Sequence, residues 1–284
     1  MYELKKDTAA MKQLIRQARE HLLKLERSIS MFEKVENTAD LFQLERLLKK
    51  IEDSVEKVNS SDIKQTVKSW IEEKQNVIDK QKKDFGFKLV SQLESSLKNI
   101  GLSLKGSFPT LRTKFLTLKI DFNRQNITIW YGPEQEFLGV EKLHPSRVAK
   151  KIEELYNSIT NRPFNENQFL GMLYTAYQRL LLWKGLKEGD KVPIIEILNE
   201  LAFQLQEKDF KINPLREKYK GYGRVYFSYD LYRLGRKTYK DMILELSVAT
   251  MAMSKDRSKY LWIPTNEDGN GTIYSSLTFK KVSK

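Results

Sequence analysis

Tyr222 to Lys240 reads YGRVYFSYDLYRLGRKTYK. Five tyrosines and five Lys or Arg residues share this stretch with a single acid, Asp230. It falls where a helical hydrophobic period gives way to alternation. Its core, Ser228 to Leu234, predicts a short helix with Ser228 as its cap. Downstream, Leu244, Leu246 and Val248 alternate with Ile243, Glu245 and Ser247, as in a half-buried strand. Tyr260 to Ile263 reads as a second strand ended by Pro264. Asp268 to Gly271 is a turn, and Thr272 to Phe279 is a third strand.

Two helices precede the stretch. Asn165 is placed to cap the first, with Gln168 three residues on and Phe164 and Phe169 spaced as a hydrophobic staple. Phe169, Leu173, Ala176 and Leu180 form its apolar face, and it ends near Gly185. Gly189-Asp190-Lys191 is a turn, after which Val192-Pro193 opens a second helix. Ile194, Ile197, Leu198, Leu201 and Leu205 point it inward. A polar connection through Asn213-Pro214 leads to Tyr222.

Helix, helix, short helix and β-hairpin is an order that resembles a winged-helix module. The segment GDKVPIIEILNELA is similar to the second helix of such folds. The resemblance covers about the last 120 residues. It implies a third helix lying in the major groove of double-stranded DNA and a wing lying on the backbone. Charge agrees with that placement. From Lys211 to Lys240 there are nine Lys and Arg against two acids, Glu217 and Asp230. Arg224, Arg233, Arg236, Lys237 and Lys240 are the expected DNA-binding residues of the helix and its approach. Lys255, Arg257 and Lys259 are those of the wing, and Lys280, Lys281 and Lys284 finish the chain. Such side chains hold phosphates, and Arg also reads guanine edges. Tyr222, Tyr226, Tyr229, Tyr232 and Tyr239 are expected mainly in the core with the hydroxyl outward. Base stacking is their functional alternative.

Between residues 101 and 161 the sequence reads as a small antiparallel β/α unit. Gly101 and Gly106 end a helical pattern. FLTLKIDF, Phe115 to Phe122, places Leu116, Leu118, Ile120 and Phe122 on one face. Asn123 to Asn126 is a turn, and Ile127, Ile129 and Tyr131 alternate on the return. Phe137 to Val140 adds a short strand. His144-Pro145-Ser146 opens a helix whose apolar face is Val148, Ile152, Leu155, Tyr156 and Ile159. Asp121, Glu134 and Glu136 are the acids that a metal-dependent nuclease would need to gather. Asp121 sits on the polar face of its strand, where a solvated acid is ordinary.

The first hundred residues carry heptads. Met11, Ile15, Ala18, Leu22, Leu25, Ile29 and Phe32 alternate spacings of four and three. A second run follows at Leu41, Leu44, Leu48, Ile51, Val55 and Val58. Asn37, Thr38 and Asp40 separate the two runs, and Asn59 to Asp62 make a second break. A third segment runs from Ile63 to Leu97 with a weak seam near Glu72 to Gln75. Short breaks favour antiparallel neighbours.

The expected fold is thus mainly α with α+β parts. It comprises an N-terminal antiparallel coiled-coil helical arm (1–100), a central antiparallel β/α unit (101–161) and a C-terminal winged-helix-like domain (162–284). This layout resembles kleisin-type and other non-ATPase subunits of SMC-like complexes, including those of bacterial phage defence. The resemblance implies a protein partner on the coiled coil, an SMC-like ATPase, beside double-stranded DNA. The chain has no GxxxxGK[ST] loop of its own.

The net charge of +13 favours an anionic partner. With no cysteine and two histidines, His21 and His144, thiol chemistry and His-rich or Cys-rich metal sites are excluded. MYELKKDTAAMKQL has no apolar stretch of the signal-peptide kind, and no run is long enough to span a bilayer. The expectation is a soluble cytoplasmic protein without a cofactor. Three functions remain open: a non-enzymatic DNA-binding and assembly subunit, an adaptor whose winged helix docks on a partner ATPase, and a metal-dependent nuclease.

Overall fold

A computed structural model describes residues 2–36, 40–122 and 124–282. The fold is mixed α/β, with antiparallel sheets. By contacts the chain divides into two compact units, Met1–Ser91 and Gln92–Lys284. The segments 101–161 and 162–284, expected as separate domains, share the second unit. Asn37, Thr38, Asn123 and Lys284, which the sequence reading used, lie outside the described residues.

Unit 1 is built from α1 (Tyr2–Glu36), α2 (Leu41–Val55) and the first part of α3 (Ser61–Lys98). Asp40 caps α2 by accepting from the amides of Phe42 and Gln43. The weak seam expected near Glu72 to Gln75 falls within a continuous α3, and this polar middle has a partner: Lys74 reaches Glu36 at 2.6 Å. Phe32 meets Trp70 edge-on at 5.1 Å, so α1 and α3 run the same way. Glu45 pairs with Lys82 and Glu56 with Lys68, both at 2.6 Å, so α2 runs against α3. Leu25, Phe32, Leu44, Leu48, Ile51, Val55, Val58 and Ile78 form the core between them.

Unit 2 holds two five-stranded sheets. The first is a meander of β1 (Lys105–Ser107), β2 (Thr110–Thr113), β3 (Leu116–Asp121), β4 (Asn126–Tyr131) and β5 (Glu136–Lys142). The hairpin read from alternation is β3–β4, with Leu118 opposite Ile129. The strands before it were not expected. α4 (Pro145–Thr160) follows, buries Val148, Ala149, Ile152 and Ile159, and contacts β5.

The rest of unit 2 runs α5 (Glu166–Lys184), β6 (Val192–Pro193), α6 (Ile194–Gln204), α7 (Lys208–Ile212), α8 (Arg224–Tyr232), β7 (Thr238–Tyr239), β8 (Met242–Val248), β9 (Leu261–Pro264) and β10 (Gly271–Lys281). The cap of α5 matches its sequence reading: the Asn165 side chain accepts from the Gln168 amide, and the Phe164 and Phe169 rings meet at 5.4 Å. Val192-Pro193 leads directly into α6, with Pro193 at its N-cap, and also forms a two-residue strand on β10. The second sheet has the order β6-β10-β8-β7, with β9 on the free half of β10. α5, α6 and α8 pack their apolar sides on it through Leu173, Tyr177, Ile197, Leu201, Phe227, Leu231, Leu277 and Phe279.

Trp262 on β9 ties the two sheets together. Its indole meets Tyr131 of β4 edge-on at 5.2 Å. It lies so close to Gly132 and Gly271 that a Cβ on either would collide with ring carbons. Gly132 also has φ +63°, which disfavours any other residue there. Lys114 pairs with Glu267 at 2.6 Å, a second tie between the turn before β10 and the first sheet.

Candidate nucleic-acid interface

α8 starts four residues before its expected cap. Ser228 is not at the end of the helix but buried in its middle. Its hydroxyl donates to the Trp262 carbonyl at 2.6 Å and lies 3.1 Å from the Tyr131 hydroxyl. Phe227 and Leu231 face the core of the second sheet. Tyr229 faces the other way, onto Phe115 at 5.3 Å, and Tyr232 packs on both that core and Phe115, the latter at 5.4 Å. Both sides of α8 are therefore packed, and each of its nine residues is buried or half-buried. A helix in a DNA groove must present a row of exposed side chains, and α8 has none. The helix expected in the major groove thus offers no exposed face for one.

The arginines of the stretch follow from the same packing. Asp230 is 4% exposed and receives Arg162 at 2.6 Å, Arg233 at 2.7 Å and the Tyr222 hydroxyl at 2.8 Å. Arg162 stacks on Tyr226 at 4.3 Å and Arg233 on Phe164 at 4.0 Å. Arg233 also donates to the Arg162 carbonyl. Arg224 pairs with Glu136 and donates to the carbonyls of Arg257 and Tyr260, both at 2.8 Å. Arg257 pairs with the other oxygen of Glu136. These guanidiniums hold unit 2 together: Arg224 and Arg233, expected as DNA contacts, are engaged in ion pairs and carbonyl bonds within it. Burial raises the pKa of the Tyr131 and Tyr222 hydroxyls, with Asp230 adding to the effect on Tyr222. The tyrosines behave as core residues, as preferred from sequence.

The expected wing residues divide in the same manner. Lys259 pairs with Asp256 at 3.2 Å, whereas Lys255 is exposed. Asp256 caps the turn Arg257–Lys259 and accepts from the amide and hydroxyl of Ser258. These bonds, the Ser258 hydroxyl first, hold its pKa down at about 2. A depressed carboxylate stabilises the fold above its unfolded pKa of about 4 and loses that contribution as pH falls toward the folded value. An NMR titration of the Asp256 carboxyl is expected to show a midpoint near 2. A midpoint in the ordinary range would mean the cap is not formed.

Cations without acidic partners lie on either side of α8. Arg236, Lys237 and Lys240 are exposed just after it, and Arg236 reaches the Asn167 side chain. Before it, Lys208, Lys211, Arg216, Lys218 and Lys220 are exposed on the connection from α6. The ion pairs in this part of the chain are made by Arg162, Arg224, Arg233, Arg257 and Lys259. Among the described residues none is made by these eight cations. The connection, polar in sequence, is a closed loop. The Gln206 amide accepts from the Lys220 N–H at 2.8 Å and donates to its carbonyl at 2.9 Å, stapling the two ends. Phe210 and Tyr219 meet across the loop at 5.6 Å. Such compact surface loops with joined ends frequently carry function. The signal available in the sequence was the density of lysines between Lys208 and Lys220.

The acids considered for metal chemistry each face a cation: Asp121 faces Arg124, Glu134 faces Lys119, and Glu136 faces Arg224 and Arg257. Among the described residues no three His, Cys, Asp or Glu gather as a metal site. His144 stands at the N-cap of α4 with its Nδ1 3.1 Å from the Ser146 hydroxyl. Among the described residues no helix is long and apolar enough to cross a membrane. Compared with known proteins, the chain matches no family model, no curated protein and no solved structure.

Proposed function

We propose that the chain is a non-enzymatic nucleic-acid-binding subunit of a larger assembly. In this reading residues 162–284 of unit 2 are a winged-helix-like module that grips the phosphate backbone of duplex DNA, and unit 1 is the assembly arm. The succession α5, β6, α6, α8, β8 and β10, with α7, β7 and β9 interposed, and the neighbours β6-β10-β8 support the module. The observation that carries the DNA reading is the set of unpaired exposed cations flanking α8, from Lys208 to Lys220 and from Arg236 to Lys240. Because α8 is covered, the contact is to backbone and carries little base specificity. The SMC-like ATPase implied by the layout is the partner class proposed for the arm.

The test is binding of the full chain to a fluorescent duplex over a range of salt. Each phosphate contact contributes a slope of about −0.9 in the log–log plot. Replacing Lys211, Arg216, Lys218 and Lys220 by Ala is expected to flatten the slope by roughly 3 to 4. Unchanged affinity and slope would reject the loop as the interface. A second reading, docking on a partner protein without DNA, draws on the exposed Ile212 and Tyr219 in the same loop. It is favoured if the wild-type chain ignores the duplex.

A further inference from the structure

We propose that the exposed seam at the start of α1, Met11, Leu14, Ile15, Ala18 and Leu22, docks an acidic amphipathic helix of another protein. The proposal rests on the reading of unit 1 as an assembly arm and adds the chemistry of what the arm takes. Met11, Leu14 and Ile15 are 62%, 64% and 63% exposed, whereas Leu25 and Phe32 further along the same stripe are 4% and 1% exposed. The register explains the change. Phe32 lies beside Trp70 and Glu36 beside Lys74, which sets Ser61, the first residue of α3, level with Leu23. α2 ends at Val55, on the same side of that break. Residues 8–22 of α1 therefore continue past the bundle for about 22 Å. A lone helix of about 15 residues is marginal in water. An apolar stripe on it gains stability only when a partner covers it.

Charge selects the partner. From residue 8 to 24 the helix carries Lys12, Arg16, Arg19 and Lys24 against Glu20 alone. Lys12 and Arg19 occupy equivalent heptad positions beside the seam, where interhelical ion pairs set partner choice. A second copy of this chain would bring the same cations to that edge. A helix with Glu or Asp at its flanking positions pairs with them. The seam ends at a groove of about 590 Å³ between α1 and the start of α3, where Leu22, Leu25, Ile29, Ile63 and Val67 are joined by Arg19, Glu26 and Glu33. The acidic helix is therefore placed on the seam ahead of Glu26 and Glu33, beside Lys12, Arg16 and Arg19.

The experiment uses the full chain and two synthetic peptides of about 28 residues. Both carry Leu and Ile at the core heptad positions, one with Glu and the other with Lys at the flanking positions. Fluorescence anisotropy is expected to show binding of the Glu peptide alone, weakened at least about tenfold by Ile15→Asp. Amide exchange in residues 8–22 should slow when the Glu peptide is added. Ile15 is exposed, so the variant keeps its fold, and its circular dichroism and duplex binding should match the wild type. Binding of both peptides alike, or a dimer of the chain in sedimentation at the concentration used, would overturn the acidic partner while sparing the arm. Binding of neither peptide would overturn both.

Discussion

Asp230→Ala is expected to destabilise unit 2 by about 3–5 kcal/mol, because it strands two guanidiniums that one buried carboxylate holds. Asp230 lies among Arg162, Arg233 and Tyr222, and nothing else in the described structure neutralises that pair of arginines. Taking both partners away at once should cost less than taking one. A triple variant with Arg162→Met, Arg233→Met and Asp230→Leu is therefore expected to recover part of the loss, since buried ionic groups replaced by apolar ones of similar size are often neutral. Thermal denaturation of the full chain reads the difference. For a unit of this size the single variant should lower its transition on the order of 10 °C. A shift within error would mean the network is not formed.

Trp262→Ala is the second large effect, about 3–5 kcal/mol for removal of a buried aromatic that leaves a cavity. Trp262 is 4% exposed and stands between Tyr131 of the first sheet and the backbone of Gly132 and Gly271. Its loss should loosen the joint between the two sheets as well as the local core. Amide exchange is expected to rise in both β4 and β10. Exchange rising in β9 and β10 alone would show that the sheets do not depend on this side chain. Gly271→Ala attacks the same joint from the other side by overpacking, at an expected cost of about 1–3 kcal/mol.

What the sequence made legible depended on whether a residue's surroundings were local. The β3–β4 hairpin has six-residue strands with one continuous apolar face, so alternation found it. β6 has two residues and β1 three, too few to carry a period. The cap of α5 was readable because Asn165 and Gln168 are neighbours. The partner of Arg224 is Glu136, 88 positions earlier, and that of Arg162 is Asp230, 68 positions later. No pattern near Tyr222 to Lys240 announces those pairs. Its arginines therefore read as free charge when two of them are bound. Ser228 read as a cap because a small polar residue before an apolar run usually is one. Its actual partner, the Trp262 carbonyl, is set by tertiary packing. The heptads of α1 were visible in full. Where their cover stops was not, because that is decided by the end of α2 and the start of α3.

The stretch from Tyr222 to Lys240 thus changes role. Its middle is a structural helix, and its basic ends, with the loop from Lys208 to Lys220, are the proposed phosphate-facing surface. Lysine-acylation footprinting of the full chain with and without duplex DNA tests that assignment most directly. Protection of Lys208, Lys211, Lys218, Lys220, Lys237 and Lys240 is expected, with amide exchange across Arg224 to Tyr232 unchanged. Equal reactivity of those lysines in the two states, or altered exchange confined to α8, would contradict it.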